Sequence, residues 1–102
     1  MSVADDILEY LKEYHNSETK AIKGRGLCEL FNLHSKQVRN LVNGLRQDGA
    51  PICSSNSGYW YSEDIQDIDN TIKRLADQVK NMSLAIKGLY KAKEDMTDEK
   101  EE

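Results

Sequence analysis

The segment of residues 27–61 constrains the fold of this chain more than any other part of the sequence. An apolar-rich half-helix is followed by a turn at residues 32–34, where Asn32 tolerates a left-handed backbone better than most residues. A second helix is predicted over about residues 35–47, because apolar side chains recur there at helical spacing. These side chains belong to Val38, Leu41, Val42 and Leu45.

A short β-hairpin is predicted directly after this second helix. The sequence at residues 48–51, Asp-Gly-Ala-Pro, ends the helix, since glycine and proline both interrupt helical structure. Residues 52–54 and 58–61 then form two short strands around a Ser-Asn-Ser tip. The order of elements therefore places a short polar helix beside a flexible hairpin.

A first helix is predicted from about Val3 to Tyr14, where apolar residues recur at helical spacing. Asp5 and Asp6 in its first turn suit the positive end of the helix dipole. The polar residues 15–19 are expected to form a loop. The apolar stripe of the helix consists of Ile7, Leu8, Leu11 and Tyr14.

These residues resemble the winged helix-turn-helix superfamily. The pattern V-R-x-x-V-x-x-L-R-x-x-G-x-P-I begins at Val38, and G-Y-W follows it at residues 58–60. The resemblance is closest to small domains of the biotin-repressor type and to winged-helix proteins of bacteriophages and mobile elements. It covers about a third of the chain directly, and it extends over residues 1–62 if the first helix is included.

The resemblance implies a mainly α fold in which the β-hairpin is a wing and residues 35–47 form a recognition helix that enters a DNA groove. It also implies that Ile22 pairs with the wing as a single short strand. His34 departs from the pattern, because a serine or threonine usually caps the recognition helix in this family. The cap is therefore expected at His34 or at Ser35.

A strict apolar heptad runs through the C-terminal part of the chain. With Ile65 as position a, every a residue is β-branched and the d residues are mostly Leu-like, which favours a parallel two-stranded coiled coil. Residues 62–64 supply a cap followed by acids, and we expect the helix to start there. The residues predicted to mediate oligomerisation are Ile65, Ile68, Ile72, Leu75, Val79, Met82, Ile86 and Leu89.

The positions beside this heptad leave the helix pairing open. Ala76, Ser83, Ala85 and Ala92 occupy e or g, where charged pairs would normally set partner and direction. The helix could therefore pair antiparallel, form a higher oligomer, or fold its first turns back on its own domain. The simplest alternative is a single amphipathic helix packed on the core of that domain. A stripe of about 36 Å, at ~1.5 Å per residue, is longer than so small a domain can cover. Most of it is expected to need another chain.

The sequence thus predicts three regions. Residues 1–62 would form the winged helix-turn-helix domain, and residues 63–93 a coiled-coil dimerisation helix. Residues 94–102 are expected to be a disordered acidic tail, because they carry many acids and no apolar periodicity.

Charge is distributed unevenly along the chain. The formal net charge is −4, but residues 15–62 carry six bases and three acids, a net +3. Attraction to phosphate depends on local rather than global charge, so the overall acidity does not argue against DNA binding. A local +3 is modest, and tight binding is therefore expected only from a dimer.

A helical wheel of residues 35–47 identifies the side that would face DNA. Lys36, Asn40, Asn43 and Gln47 lie opposite the apolar residues. Asparagine and glutamine can bond adenine in the major groove, and lysine and arginine can contact guanine or phosphate. The full set of predicted DNA contacts is Lys36, Gln37, Arg39, Asn40, Asn43, Arg46, Gln47, Lys23, Arg25, Ser55 and Asn56.

Several of these contacts have a structural alternative. Arg39 and Arg46 lie further round the helix and suit either a phosphate contact or a salt bridge. The segment 23–26, Lys-Gly-Arg-Gly, could hold a phosphate at a helix start, or its glycines could only shape a turn. The wing tip contains no Lys or Arg, and Tyr59 and Trp60 are expected to pack at the base of the wing.

Other functional classes find little support in the sequence. No catalytic constellation is present, and the two cysteines and two histidines have irregular spacing for zinc, so neither an enzyme nor a cofactor or metal is expected. Both cysteines, Cys28 and Cys53, are expected to be reduced. No run is apolar enough to span a bilayer and the N-terminus lacks a signal-peptide profile, so the protein is expected in the cytoplasm.

The sequence therefore predicts a homodimer that binds double-stranded DNA, with transcriptional regulation of phage or mobile-element type as the leading role. Recognition of a replication origin or another assembly site of a phage is the alternative within DNA binding. A third alternative differs in kind: a winged helix that docks a protein partner and does not bind DNA.

Overall fold

The structure, a computed structural model, describes residues 2–101, and it describes side chains through residue 97. The described chain is mainly helical, with a two-stranded antiparallel hairpin and a long C-terminal helix, which confirms the predicted fold class. Its elements are α1 (Val3–Tyr14), a 3-10 turn (Glu18–Lys20), α2 (Gly24–Phe31), α3 (Ser35–Gln47), β1 (Ile52–Ser55), β2 (Gly58–Tyr61) and α4 (Ile65–Glu101).

The first helix, α1, begins and ends at the predicted residues. Ser2 caps it, because its hydroxyl oxygen accepts the backbone N–H of Asp5 at 3.2 Å. Ile7 and Leu11 of the predicted stripe are completely buried. Tyr14, on the same stripe, stays 57% exposed and contacts the Tyr10 ring at a tilt of 47°, with the ring centroids 5.2 Å apart.

The turn between α2 and α3 is built on a left-handed residue, as the sequence predicts. Asn32 has φ 54° and ψ 54°, and its backbone N–H bonds the carbonyl oxygen of Cys28. This geometry closes the C-terminus of α2 in the way that glycine or asparagine commonly does. At the start of α3, Gln37 Oε1 accepts the backbone N–H of His34 at 2.8 Å. Of the two residues predicted as the cap, His34 is the one that occupies it.

The hairpin is extended by a single residue, Ile22, which lies just before α2. β1 and β2 pair antiparallel with Ile52 opposite Tyr61. The backbone N–H of Ile22 donates to the Tyr59 carbonyl oxygen at 2.9 Å, and the N–H of Tyr59 donates to the Ile22 carbonyl oxygen at 2.8 Å. This pair of bonds confirms the expected single-residue strand. Gly58 makes this approach possible, because a Cβ at that position would lie 2.3 Å from the Ile22 carbonyl oxygen.

A single apolar core joins the helices to the hairpin. The buried side chains come from every one of α1, α2, α3 and β1, so the helical stripes predicted from spacing converge on one centre. Burial of these aliphatic groups is the main favourable contribution to folding of the domain. The core consists of Ile7, Leu11, Leu27, Val38, Val42, Leu45 and Ile52.

The start of α4 lies later than the sequence suggests. Ser62 was expected to cap the helix, but the helix begins at Ile65 and Asp64 caps it, accepting the N–H of Gln66 at 2.9 Å. The Ser62 hydroxyl accepts the N–H of Asp64 at 3.0 Å and donates to Oδ2 of Asp67 at 2.8 Å. Ser62 is thus used for a tertiary connection rather than for the cap.

The described chain divides into two compact units, at the junction of Thr71 and Ile72. The first unit extends beyond the predicted boundary at residue 62, because the first two turns of α4 bond to the hairpin. Thr71 Oγ1 accepts the backbone N–H of Ser54 at 3.3 Å, and Thr71 is only 6% exposed.

The second unit is the remainder of α4, and it includes most of the segment 94–102 that the sequence predicts as a disordered tail; residue 102 lies outside the described residues. The helix continues through the acidic segment to Glu101. After Gly88 the described segment is free of glycine and proline, and Lys, Glu and Met favour helix. Thr97, the one β-branched residue there, donates its hydroxyl to the Lys93 carbonyl oxygen at 2.9 Å. These local preferences account for the helix over the described residues 94–101.

Candidate functional site

One face of α3 presents a continuous row of polar side chains. The opposite face buries Val38, Val42 and Leu45 in the core, which determines how the helix is rotated about its axis. Every residue predicted on the polar side is exposed, in agreement with the helical wheel. These exposed residues are Lys36, Gln37, Arg39, Asn40, Asn43 and Gln47.

Gln37 differs from the other exposed residues of this face. Its Oε1 atom is occupied by the His34 backbone N–H, which satisfies one of the unpaired donors at the start of α3. The carboxamide is therefore held against the helix start. Asn40 and Asn43, further along the same face, are the amides best placed to reach outward.

The two arginines of α3 have different surroundings. Arg39 is exposed, whereas Arg46 is half-buried and directed onto the hairpin. The Arg46 Nε atom donates to the Ile52 carbonyl oxygen at 2.8 Å, and Nη2 donates to Ser54 Oγ at 3.0 Å. The guanidinium also lies 6.0 Å from the centroid of the Tyr59 ring, within cation–π distance. Arg46 thus connects α3 to the hairpin, and Arg39 presents its charge to solvent.

The segment before α2 is tied to the hairpin tip. Lys23 Nζ donates to the Asn56 backbone carbonyl oxygen, which brings a positive charge to a tip that has none of its own. Ser55 Oγ, beside it, accepts the N–H of Ser57 at 3.0 Å and so shapes the tip. Arg25 is almost fully exposed and lies 3.7 Å from Glu29, one helical turn away. Such an exposed pair contributes little to stability.

The glycines of this segment have a packing role. A Cβ at Gly26 would lie 2.9 Å from Cγ1 of Ile22, and one at Gly24 would lie 3.5 Å from the Tyr59 ring. Gly26 therefore allows α2 to approach the residue that pairs with the hairpin. The sequence left open whether these glycines allow a phosphate to approach or only shape the chain. The distances supply a structural reason for glycine at position 26, which is close packing against Ile22.

The aromatic residues of the hairpin are packed, as expected. Trp60 is only 3% exposed, and its Nε1–H donates to Oδ2 of Asp67 at 3.1 Å. Tyr59 packs against the core. The sequence analysis missed Asp67, because its position in α4 looked like an ordinary acid in the first turn of a helix. Its spacing from the single tryptophan gave no signal of their contact.

The cysteines are separate thiols. Cys53 is buried in β1, and Cys28 is half-buried in α2. Burial raises the pKa of the Cys53 thiol above its ordinary value, because the thiolate is poorly solvated there. A hydrogen bond to Thr71 acts in the opposite direction and lowers the pKa by a smaller amount. A buried thiol with a raised pKa is chemically inert.

The apolar heptad of α4 is largely uncovered in the single chain. Ile65 is 74% and Leu89 is 72% exposed, and the a residues between them are more than half exposed. Ile68 and Leu75 are half-buried. Exposed apolar stripes of this length are uncommon on monomers and mark interaction surfaces.

Two further observations concern the described residues as a whole. None of their helices combines the length and apolar character needed to span a membrane. Their His, Cys, Asp and Glu side chains form no group of three or more able to hold a metal ion. Comparisons with protein-family models, with curated proteins and with solved structures find no match to this chain.

Proposed function

We propose that this protein is a winged helix-turn-helix protein that binds double-stranded DNA as a homodimer and regulates transcription, in the manner of phage and mobile-element regulators. The observation that carries the proposal is the exposed polar face of α3, which follows a tight turn and lies beside a hairpin. A short helix of this kind, supported from behind by α2, suits the major groove. A cytoplasmic location is part of the same proposal.

The chemistry of the α3 face supports base readout. Asn40 and Asn43 are one turn apart and both exposed, and an asparagine amide can pair with the N6 and N7 atoms of adenine. Lys36 at the start of the helix can reach guanine or phosphate. Arg39 beside this row supplies an exposed positive charge for the phosphate backbone. Arg46, Lys23 and Gln37 would assist indirectly, since each is already bonded within the domain.

A homodimer would bind DNA more tightly than a single domain can. Residues 15–62 carry a net charge of only +3, and a few phosphate contacts give weak binding at physiological salt. Two copies joined through α4 would double the number of contacts and read two half-sites. The exposed heptad of α4 is the surface that supports this association.

A gel-shift titration with random duplex and with fragments from the gene's own locus, at two salt concentrations, tests the proposal. We expect shifts that weaken steeply with salt, and Lys36→Glu should weaken binding by about tenfold or more. Lys12→Glu, on α1, changes the net charge equally and serves as the matched control. Absence of a shift at low salt from folded dimeric protein would refute DNA binding.

Asn40→Ala and Asn43→Ala separate base readout from charge. Each should reduce discrimination between the preferred site and random duplex by roughly 5- to 100-fold while changing the salt dependence little. Equal losses on all sequences would mean that α3 contacts only the backbone. Binding confined to a fragment that carries a replication origin would favour the origin-recognition alternative over a transcriptional role.

A protein-binding function without DNA is the second candidate. The observation that favours it is the hairpin tip, Ser54 to Ser57, which contains no base, in a chain of net charge −4. In this case the α3 face or α4 would dock a partner protein. Partner binding that survives Lys36→Glu and Arg39→Glu, together with no retained DNA, would support it.

A further inference from the structure

The heptad of α4 has almost no charge in the positions that normally select a pairing direction. The e and g positions beside an apolar seam usually carry the ion pairs that set partner and orientation. Counted from Ile65 as a, only two of these positions are charged between residues 64 and 92. They are Asp64, the cap residue, which continues the g series by one position before the helix, and Asp69 at e. The other e and g residues are Thr71, Ala76, Gln78, Ser83, Ala85, Tyr90 and Ala92.

A parallel pairing would bring these two acids together. In a parallel coiled coil each g residue lies beside the e residue five positions later on the other helix. Asp64 would therefore face the partner's Asp69, and the two-fold symmetry would repeat this contact. Both are acidic side chains exposed to solvent, so each contact sets like charges side by side and is repulsive.

An antiparallel pairing places each a residue of the heptad opposite a d residue of the partner helix; these a and d residues form the apolar seam. If Ile65 lies opposite the partner's Leu89, then Ile72 lies opposite the partner's Met82 and all a and d residues from 65 to 89 are used. In this register the e positions of both helices line the same edge of the apolar seam, and the b positions lie just outside them. Asp69 at e then lies beside the partner's Lys87 at b, about 3 Å apart along the helix axis.

The charge of longer segments favours the same direction. Residues 63–71 carry four acids and no base, a net −4, whereas residues 84–93 carry three bases and no acid, a net +3. Antiparallel pairing sets these segments side by side, and parallel pairing sets each beside its like-charged copy. At a separation of ~10 Å between paired helices, these charges interact across about one Debye length at 0.1 M salt.

The contacts of α4 with its own hairpin leave the required side open. Asp67 at c and Thr71 at g face the hairpin, where they bond to Trp60 and Ser54. On the other side of the seam, Ile65 and Asp69 are exposed. The e side of the first turns of α4 is therefore accessible to a second helix.

From these observations we infer that α4 pairs antiparallel with α4 of a second copy of this chain, with Asp69 of each beside the partner's Lys87. This deepens the proposed homodimer and rests on it. The two Ile65 residues would then be separated by 24 residues of helix, about 36 Å at ~1.5 Å per residue. That distance is close to one turn of duplex DNA, ~34–36 Å, which is the spacing of adjacent half-sites on one face.

Sedimentation equilibrium of Asp69→Lys at low salt tests the direction, because the two pairings predict opposite signs. In the antiparallel dimer the introduced lysine faces the partner's Lys87, and the dimer Kd should rise by roughly tenfold. In a parallel dimer it would face the partner's Asp64, and the Kd would fall. The double variant Asp69→Lys/Lys87→Glu should return the Kd to within about threefold of the original.

Asp77→Lys is the matched control, since position f points away from the seam and the change of charge is the same. It should change the Kd by less than about threefold. A fall in Kd for Asp69→Lys overturns the antiparallel inference while leaving the homodimer intact. A chain that stays monomeric at all concentrations overturns both, and DNA binding enters neither measurement.

A distance measurement gives independent evidence. Spin labels on Gln66→Cys, in a Cys28→Ala/Cys53→Ala background with unchanged circular dichroism, should be about 33 Å apart in the antiparallel dimer. A separation below about 20 Å would show that the two helix starts are adjacent, as in a parallel coiled coil.

Discussion

Trp60 donates its indole N–H to Oδ2 of Asp67 at 3.1 Å, and the Ser62 hydroxyl donates to the same oxygen at 2.8 Å. One carboxylate of α4 therefore holds both the last strand of the hairpin and the link that follows it. Because Trp60 and Ser62 are buried, these bonds orient the start of α4 on its own domain.

Replacing Asp67 should loosen this connection. Asp67→Ala leaves the indole N–H and a buried hydroxyl without their acceptor, and we expect a loss of about 1–3 kcal/mol in the free energy of unfolding. Urea unfolding followed by the fluorescence of the single tryptophan measures it. Asp77→Ala, exposed on α4 and away from the heptad residues, is the control and should change stability by less than ~0.5 kcal/mol. Equal effects of the two would contradict the assigned contact.

Replacement of Arg46 should lower stability, whereas replacement of Arg39 should affect only binding. Arg46→Ala removes the donors to the Ile52 carbonyl and to Ser54 Oγ, and it should lower the free energy of unfolding by about 1–2 kcal/mol. Arg39→Ala should leave stability within ~0.5 kcal/mol, because the side chain is exposed. If DNA is the ligand, Arg39→Ala should weaken binding in the gel shift. A stability loss from Arg39→Ala that matches the loss from Arg46→Ala would be inconsistent with these positions.

Gly58 and Gly44 should respond in opposite directions to alanine. Gly58 has φ 123°, and an added Cβ would lie 2.3 Å from the Ile22 carbonyl oxygen, so Gly58→Ala should cost at least ~2 kcal/mol. Gly44 lies inside α3, and an added Cβ would meet no neighbouring side chain or other element within 4 Å. Gly44→Ala should therefore stabilise the domain, by up to ~1 kcal/mol. Thermal unfolding by circular dichroism compares the pair.

Asn32 should tolerate glycine but not a β-branched residue. Its left-handed backbone, φ 54°, is accessible to glycine and strained for valine. Asn32→Val should reduce the free energy of unfolding by roughly 1–2 kcal/mol, and Asn32→Gly should leave it within ~1 kcal/mol. Chemical denaturation of both variants measures these changes. Equal losses for glycine and valine would mean that the amide side chain of Asn32, and not its backbone conformation, stabilises the turn.

The two thiols should differ in reactivity. Burial raises the pKa of Cys53, which reduces its thiolate population near neutral pH, whereas Cys28 is half-buried. Iodoacetamide should therefore modify Cys28 at least tenfold faster than Cys53 under native conditions, as followed by mass spectrometry of the peptides. The difference should vanish in urea, where both thiols are solvated.

Local patterns were sufficient for much of the fold. The bounds of α1 and α3, the left-handed Asn32 and the two strands follow from spacing and from backbone preference, because both act over a few residues. The exposed face of α3 was likewise predictable from the helical wheel. For residues 94–101 two local signals differ: their acidity indicates disorder, whereas their Lys, Glu and Met side chains favour the helix that the structure describes.

Side-chain contacts between distant segments could not be predicted in the same way. The sequence by itself determined the helices, their apolar stripes and the heptad of α4, since each depends on periodicity. Only the tertiary structure decided that Arg46 supports the hairpin while Arg39 faces solvent, and that Asp67 receives the Trp60 indole. Such pairings depend on which buried donors lack an acceptor after the core has packed, and that is a property of the assembled fold.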